Sequence, residues 1–269
     1  MTLRINTLTA RRGVHWVGAG FALFLKHALG FSLLFLLGLV PMLLLGSVPV
    51  IGAMLMFVVG PPLALGFAIA ARAAAQGSPV RATHLFEPFR VGADRARRNT
   101  LIRLSLLYAL CTAAMLLLVS VLGGEAFDQL MTIARGGEAD TMAKMQALLI
   151  AHPELQFIGL MPALLLGLLS AVFWHAPMLV WWQGQGVAKS LFSSTLACWR
   201  NKGAFTLYSL AWAGIGTLYL IVSTLAFALI GMPQLAVLAW QPGLLLFLIA
   251  FYVSVYFSYA DCFTSDEAV

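Results

Sequence analysis

The chain has 269 residues, 61% of them hydrophobic and 10% charged, with a net charge of +6 and a mean hydropathy of +0.93. Soluble domains carry about one quarter charged residues, so a water-soluble globular fold is excluded. Fourteen of the sixteen Lys and Arg fall within 1–26, 72–103 and 189–202, and long uncharged runs separate these segments.

The uncharged runs cover 27–71, 104–124, 155–188 and 203–260. Each reaches the roughly 20 residues that cross a bilayer as a helix. They are continuously apolar and do not alternate, which excludes barrel strands. The predicted fold is an all-α membrane protein with six transmembrane helices in three hairpins, each preceded by a basic amphipathic interfacial helix.

In chain order, Val14, Val17, Phe21, Phe24 and Leu25 recur at helical spacing, with Arg11, Arg12 and Lys26 elsewhere. This predicts a helix lying in the membrane interface, with Trp16 at head-group depth. Spans follow near 29–45 and 51–71, divided at the turn-forming Gly46-Ser47-Val48-Pro49. The first run has basic residues before it, as a signal peptide has. It continues into the second span with no convincing cleavage site, so it is expected to be retained.

Ser78-Pro79 opens a second short helix carrying Leu85, Phe86 and Phe89, ahead of a span near 104–122. The loop 124–154 holds one helical face of Phe127, Leu130, Met131 and Ala134, and another of Met142, Met145, Leu148 and Leu149. Gly136-Gly137 breaks between them, which predicts a helical hairpin. A fourth span is expected near 155–182. A third basic stretch then combines Val187, Leu191, Phe192 and Trp199 with Lys189 and Arg200. The last spans are placed near 204–230 and 244–260, with Pro233–Gln241 as an interfacial or re-entrant turn.

The three basic segments fall on one side of these spans, whereas 124–154 has only Arg135 and Lys144 against five acidic residues. The positive-inside bias then places both termini in the cytoplasm and the loop outside. Membrane-surface contacts are assigned to Arg11, Arg12, Trp16, Lys26, Arg97, Arg98, Lys189, Arg200 and Lys202. Residues 26–31 and 200–205 both pass from a basic, polar end into an aromatic residue, which reads as three parallel repeats. Any six-span protein with basic segments at its inward ends gives a similar pattern. The whole of 1–269 is read as one membrane domain.

Three motifs carry a resemblance: Arg11-Arg12-Gly13-Val14-His15-Trp16 with Gly20–Phe24, Cys198-Trp199-Arg200-Asn201, and Ser258-Tyr259-Ala260-Asp261-Cys262-Phe263. In these the chain resembles a family of uncharacterised proteobacterial multi-pass inner-membrane proteins. The resemblance implies six helices in the bacterial inner membrane and no known activity, and it carries over no site residues.

His175 is the one ionisable side chain well inside an apolar run, and such residues are functional suspects by default. A proton relay and a neutral imidazole bonded to a neighbouring helix both fit. No second histidine lies at comparable depth for a haem. Met131, Met142, Met145 and His152 are soft or borderline ligands for Cu(I), but their spacing favours packing. No cofactor is therefore expected. Pro61 and Pro62 remove two backbone donors and predict a kink, which is either a packing feature or a transporter-like midplane site. Glu87 and Arg90 suit a docking point or a local ion pair.

Ser193-Ser194-Thr195 lacks the partners of a nucleophile, and no nucleotide, zinc or hydrolase motif is present. The cysteines have no paired spacing and read as free thiols. Basic charge is accounted for by orientation and anionic lipid, so no nucleic-acid partner is expected. The function read from the sequence is non-enzymatic, the binding or organising of lipids or a membrane partner complex, with homo-oligomerisation also open. The alternative is a transporter or channel for a small uncharged or hydrophobic substrate.

Overall fold

The computed structural model describes residues 3–48, 51–136, 141–232 and 235–265. Away from water, backbone N–H and C=O groups can be satisfied only within the chain, so apolar runs fold as helices. Among the described residues ten α-helices form, and their order is α1 (Arg12–Lys26), α2 (Ala28–Gly46), α3 (Ile51–Ala75), α4 (Arg95–Gly136) and α5 (Thr141–Ala151), then α6 (Glu154–Phe173), α7 (Ala176–Gln183), α8 (Val187–Arg200), α9 (Lys202–Leu229) and α10 (Ala236–Cys262). A 3-10 segment, Ala82–Phe89, precedes α4, and β1 (Leu3–Ile5) pairs antiparallel with β2 (Phe263–Ser265).

Six stretches are long and apolar enough to cross a membrane: Ala28–Gly46, Met54–Ala75, Arg95–Leu122, Leu164–Gln183, Lys202–Leu229 and Leu238–Cys262. This is an all-α membrane protein with six candidate spans. The loop between the third and fourth spans holds the end of α4, interrupted where Gly124 takes φ 54°, and α5, which packs back on α4. Of the loop methionines, the side chains of Met131 and Met142 lie outside the described residues. Pro233 of the expected turn also lies outside them, and the stretch from Ala236 through Pro242 is the start of α10 itself.

Packing is concentrated at the end of the bundle that carries both termini. Leu65 and Phe67–Ala71 of α3, Ala176 and Met178–Val180 of α7 and Ile249, Ala250 and Val253 of α10 are buried there. Toward the other end Leu43, Leu44, Leu117, Val121, Leu218, Val222 and Leu225 are exposed, as lipid-facing leucines and valines are.

A short helical segment precedes each hairpin, and α1 is packed against the bundle. It packs along both α9 and α10. Its buried stripe is Gly13, Trp16, Val17, Gly20 and Phe24, so of the apolar residues expected to face the membrane Val17 and Phe24 pack within the protein, and Val14 and Leu25 are exposed. The glycines explain the difference. A Cβ on Gly13 would overlap the Ala204 carbonyl, and one on Gly20 would meet the Ser254 side chain and the Ala250 carbonyl. Small residues let helix backbones approach this closely. Trp16, placed at head-group depth by the sequence, is 0% exposed and belongs to the core.

In α8 the buried face is small and hydroxylic, Ser190, Ser193, Ser194 and Ala197, with Cys198 beside it. Phe192, Trp199, Lys189 and Arg200 face outward. The helix therefore turns its large aromatics away from the protein and its serines inward.

Candidate functional site

Three features mark the packed end. The first is a latch. Arg12 donates to Asp261 from Nε (2.8 Å to Oδ2) and Nη2 (2.6 Å to Oδ1), and Trp16 donates from Nε1 to Oδ2 (2.6 Å). The hydrogen bond to Asp261 raises the Arg12 guanidinium further above its ordinary value, although burial opposes this. Asn6 donates from Nδ2 to the Asp261 carbonyl (2.8 Å). Asn201, at the α8–α9 corner, accepts from the Leu8 N–H (2.7 Å) and donates to the Asn6 carbonyl (2.9 Å) and, more weakly, to Cys262 Sγ (3.7 Å). Both ends of the chain and the α8–α9 corner are thus tied at one point. All three motifs that carry the family resemblance meet here.

The second feature is the break between α6 and α7. In a regular helix the His175 N–H would bond to the Ala171 carbonyl, four residues back. Instead it donates to Ser194 Oγ of α8 (3.0 Å), and that hydroxyl donates to the Ala171 carbonyl (3.2 Å). A side chain inserted into the ladder opens a helix in this way, and Pro177, which has no N–H, adds to the break. Ser258 of α10 donates to the Val255 carbonyl (2.8 Å), so its oxygen accepts from Trp174 Nε1 (3.2 Å) and His175 Nε2 (3.0 Å). The network assigns the Nε2–H tautomer of a neutral imidazole. Nδ1 is buried without a hydrogen-bond partner among the described residues. The rings of Phe205, Tyr259 and Phe263 surround the imidazole at centroid distances of 5.9, 6.0 and 5.2 Å.

The third feature is a groove of about 810 Å³ between α6, α8 and α9. Val172, Trp174, Phe205 and Trp212 line it, and the exposed Leu168 and Leu210 lie on its rim, so it opens sideways. At the end nearest the latch Thr195, Trp199 and Lys202 also line it. Lys202 Nζ sits 5.2 Å from the Trp199 ring centroid, a cation–π contact. It has no carboxylate partner among the described residues.

Over 265 residues the chain is 30% identical to a protein of Burkholderia thailandensis named "probable inner membrane protein", covering 98% of this chain and 96% of that one. The chain belongs to that family of inner-membrane proteins. No family model matches it, and no solved structure does.

For an inner-membrane protein, the predicted surface residues divide into two groups. Arg11, Lys26, Lys189, Arg200 and Lys202 are exposed. Arg12 and Trp16 are engaged in the latch. Arg97 donates to the Trp181 carbonyl (2.8 Å) and pairs with Asp94 (3.2 Å), and Arg98 is half-buried. Among the described residues no three His, Cys, Asp or Glu side chains come together as a metal site, at His175, at His152 or elsewhere.

Pro61 and Pro62 lie within α3, which continues through both. Pro61 lines a cavity of about 170 Å³ with Tyr108, Phe173, Pro177 and Tyr252. Ligand pockets usually reach about 300 Å³ or more, so a packing role suits these prolines best. Sequence reasoning named Asp261 and Asn201 only as members of the resemblance motifs, without their linking role, and passed over Asn6. Asp261 was visible as an acidic residue directly after an apolar span, on the basic side.

Proposed function

We propose that the protein binds and organises membrane lipid without catalysing a reaction, and that the groove between α6, α8 and α9 is where it does so. The observation that carries this reading is the pairing of a sideways-opening apolar groove with Lys202, a cation without a carboxylate partner among the described residues, and an exposed Trp199 at one end. An acyl chain matches the walls, and an anionic head group matches the Trp199–Lys202 end. A second apolar recess, about 590 Å³ between α9 and α10, is lined by Phe21, Ile215, Trp240, Leu244 and Phe247 with no charged side chain. It suits the same class of occupant.

The absence of catalysis is supported by the groups that would otherwise be suspects. His175 is sealed among aromatic rings. Ser194 is committed to the helix break. Burial pushes the Cys198 thiol up to about 12, which leaves almost no thiolate at neutral pH.

Native mass spectrometry of the protein extracted in mild detergent tests the proposal. Wild-type protein is expected to retain phospholipid, with at least a threefold lower bound fraction in the Trp199→Leu/Lys202→Glu double variant. Lipid-free wild-type protein, recovered alone, would sink the reading.

The orientation we propose has both termini in the cytoplasm, because the Lys and Arg cluster on that side. A C-terminal fluorescent-protein fusion should then fluoresce, and alkaline phosphatase inserted after Gly136 should be active. The reverse pattern would invert the topology.

A further inference from the structure

A second site lies away from the lipid groove, where the end of α3, the segment after the 3-10 turn and α7 enclose a polar basin of about 560 Å³. Arg72, Arg90 and Arg97 line it, with Glu87 and Asp94, and Trp181 and Trp182 complete its wall. The Arg72 guanidinium carbon lies 5.1 Å from the centroid of the Trp182 ring. Arg72 and Trp182 also line a smaller polar recess with Gln183, Tyr256 and Tyr259.

The charges of the basin are not equally available. Asp94 is committed: it pairs with Arg97 and caps α4 by accepting the Ala96 and Arg97 N–H groups at 2.8 and 3.2 Å. Arg97 is fixed in turn by its bond to the Trp181 carbonyl. Arg72 and Arg90 have no carboxylate partner among the described residues. Two planar, five-donor cations face one concavity, and only Glu87 among its lining carboxylates is uncommitted.

Guanidinium groups recognise the tetrahedral oxygens of phosphate through paired, charge-assisted hydrogen bonds. An arginine stacked on an indole is held in place for that task. We infer that this basin binds a phosphate ester, with Arg72 and Arg90 as its cationic arms, Trp182 as the platform beneath Arg72, and Glu87 as an opposing charge that limits affinity. The phosphate can belong to a lipid head group or to a soluble phosphate ester. The inference does not depend on the lipid groove, and no residue is shared between the two sites.

Calorimetric titration of the full-length protein in an uncharged detergent tests it, with dihexanoyl phosphatidylglycerol in one arm and glycerol 3-phosphate in the other. Saturable binding is expected in at least one arm. Binding of the lipid alone, weakened by Arg90→Gln, assigns a head-group site in the basin, and equal binding of both assigns a phosphate-ester site open to water.

Arg72→Gln and Arg90→Gln should each weaken binding about tenfold, the loss of one charge-assisted contact. Glu87→Gln should tighten it about threefold. Arg90 is exposed, so its replacement keeps the test valid if Arg72→Gln fails to fold. No saturable heat in either arm, or an affinity that Arg90→Gln leaves unchanged, would overturn the inference.

Discussion

Gly13→Leu is expected to detach α1 from the bundle, whereas Gly18→Leu, five residues along the same helix, is expected to be tolerated. At Gly13 even a Cβ overlaps the Ala204 carbonyl and crowds the Tyr208 backbone, and no side-chain rotation relieves a clash with backbone. The helices must separate, and the contacts of Trp16 with Phe205 and Tyr208, at 5.2 and 5.9 Å between ring centroids, are lost with them. Overpacking commonly costs about 1–3 kcal/mol and more where the backbone has to move, so a loss above about 3 kcal/mol is expected.

At Gly18 nothing lies within 4 Å of the added Cβ, and leucine is the better helix former by up to about 1 kcal/mol. Thermal unfolding in detergent, followed by size-exclusion chromatography, separates the two outcomes. Equal behaviour of both variants would show that α1 does not pack between α9 and α10.

The second large effect is expected from Asp261→Ala. The carboxylate serves two donors of different character. Arg12 retains 41% side-chain exposure, so its guanidinium can return to water, and that share of the loss is about 1 kcal/mol or less. Trp16 is fully buried, and its indole N–H would lose an ionised acceptor with no water to replace it. That share is about 1.5–3 kcal/mol.

Asp261→Ala should therefore cost about 2–4 kcal/mol, and Arg12→Gln clearly less. Asp261→Asn, which keeps an oxygen for Trp16 and gives up the charge, should fall between them. Because the same carboxylate holds the N-terminal segment to the end of α10, limited proteolysis should cut Asp261→Ala near Arg11 and Arg12 sooner than the wild type. If Arg12→Gln proves as damaging as Asp261→Ala, the apportioning between the two donors is wrong.

The six helices were legible because the rule behind them is local: an apolar run with no water partner must satisfy its backbone as a helix. The latch and the α6–α7 break were not legible, because each depends on a residue distant in sequence. Residues 155–182 read as one continuous span, and Pro177 alone did not require otherwise. What opens the helix at His175 is the Ser194 hydroxyl from α8, nineteen residues away.

The stripe on α1 was placed only in part, for a related reason. Counting large apolar residues selected Val17 and Phe24, which pack, together with Val14 and Leu25, which are exposed, and missed Gly13 and Gly20, whose contribution is the space that they leave. Trp16 then read as an interfacial anchor until Asp261, 245 residues later, supplied its acceptor. The grooves were out of reach for the same cause, since an opening is defined by side chains from three or four separate helices.

A cryo-electron microscopy map of the protein in nanodiscs made from inner-membrane lipid tests the lipid-binding account most directly. The account predicts elongated density in the groove between α6, α8 and α9, ending at Trp199 and Lys202, with the aromatic core around Tyr208 and Phe251 closed. A groove shut by its own side chains, or a continuous polar passage reaching the opposite face, would contradict it.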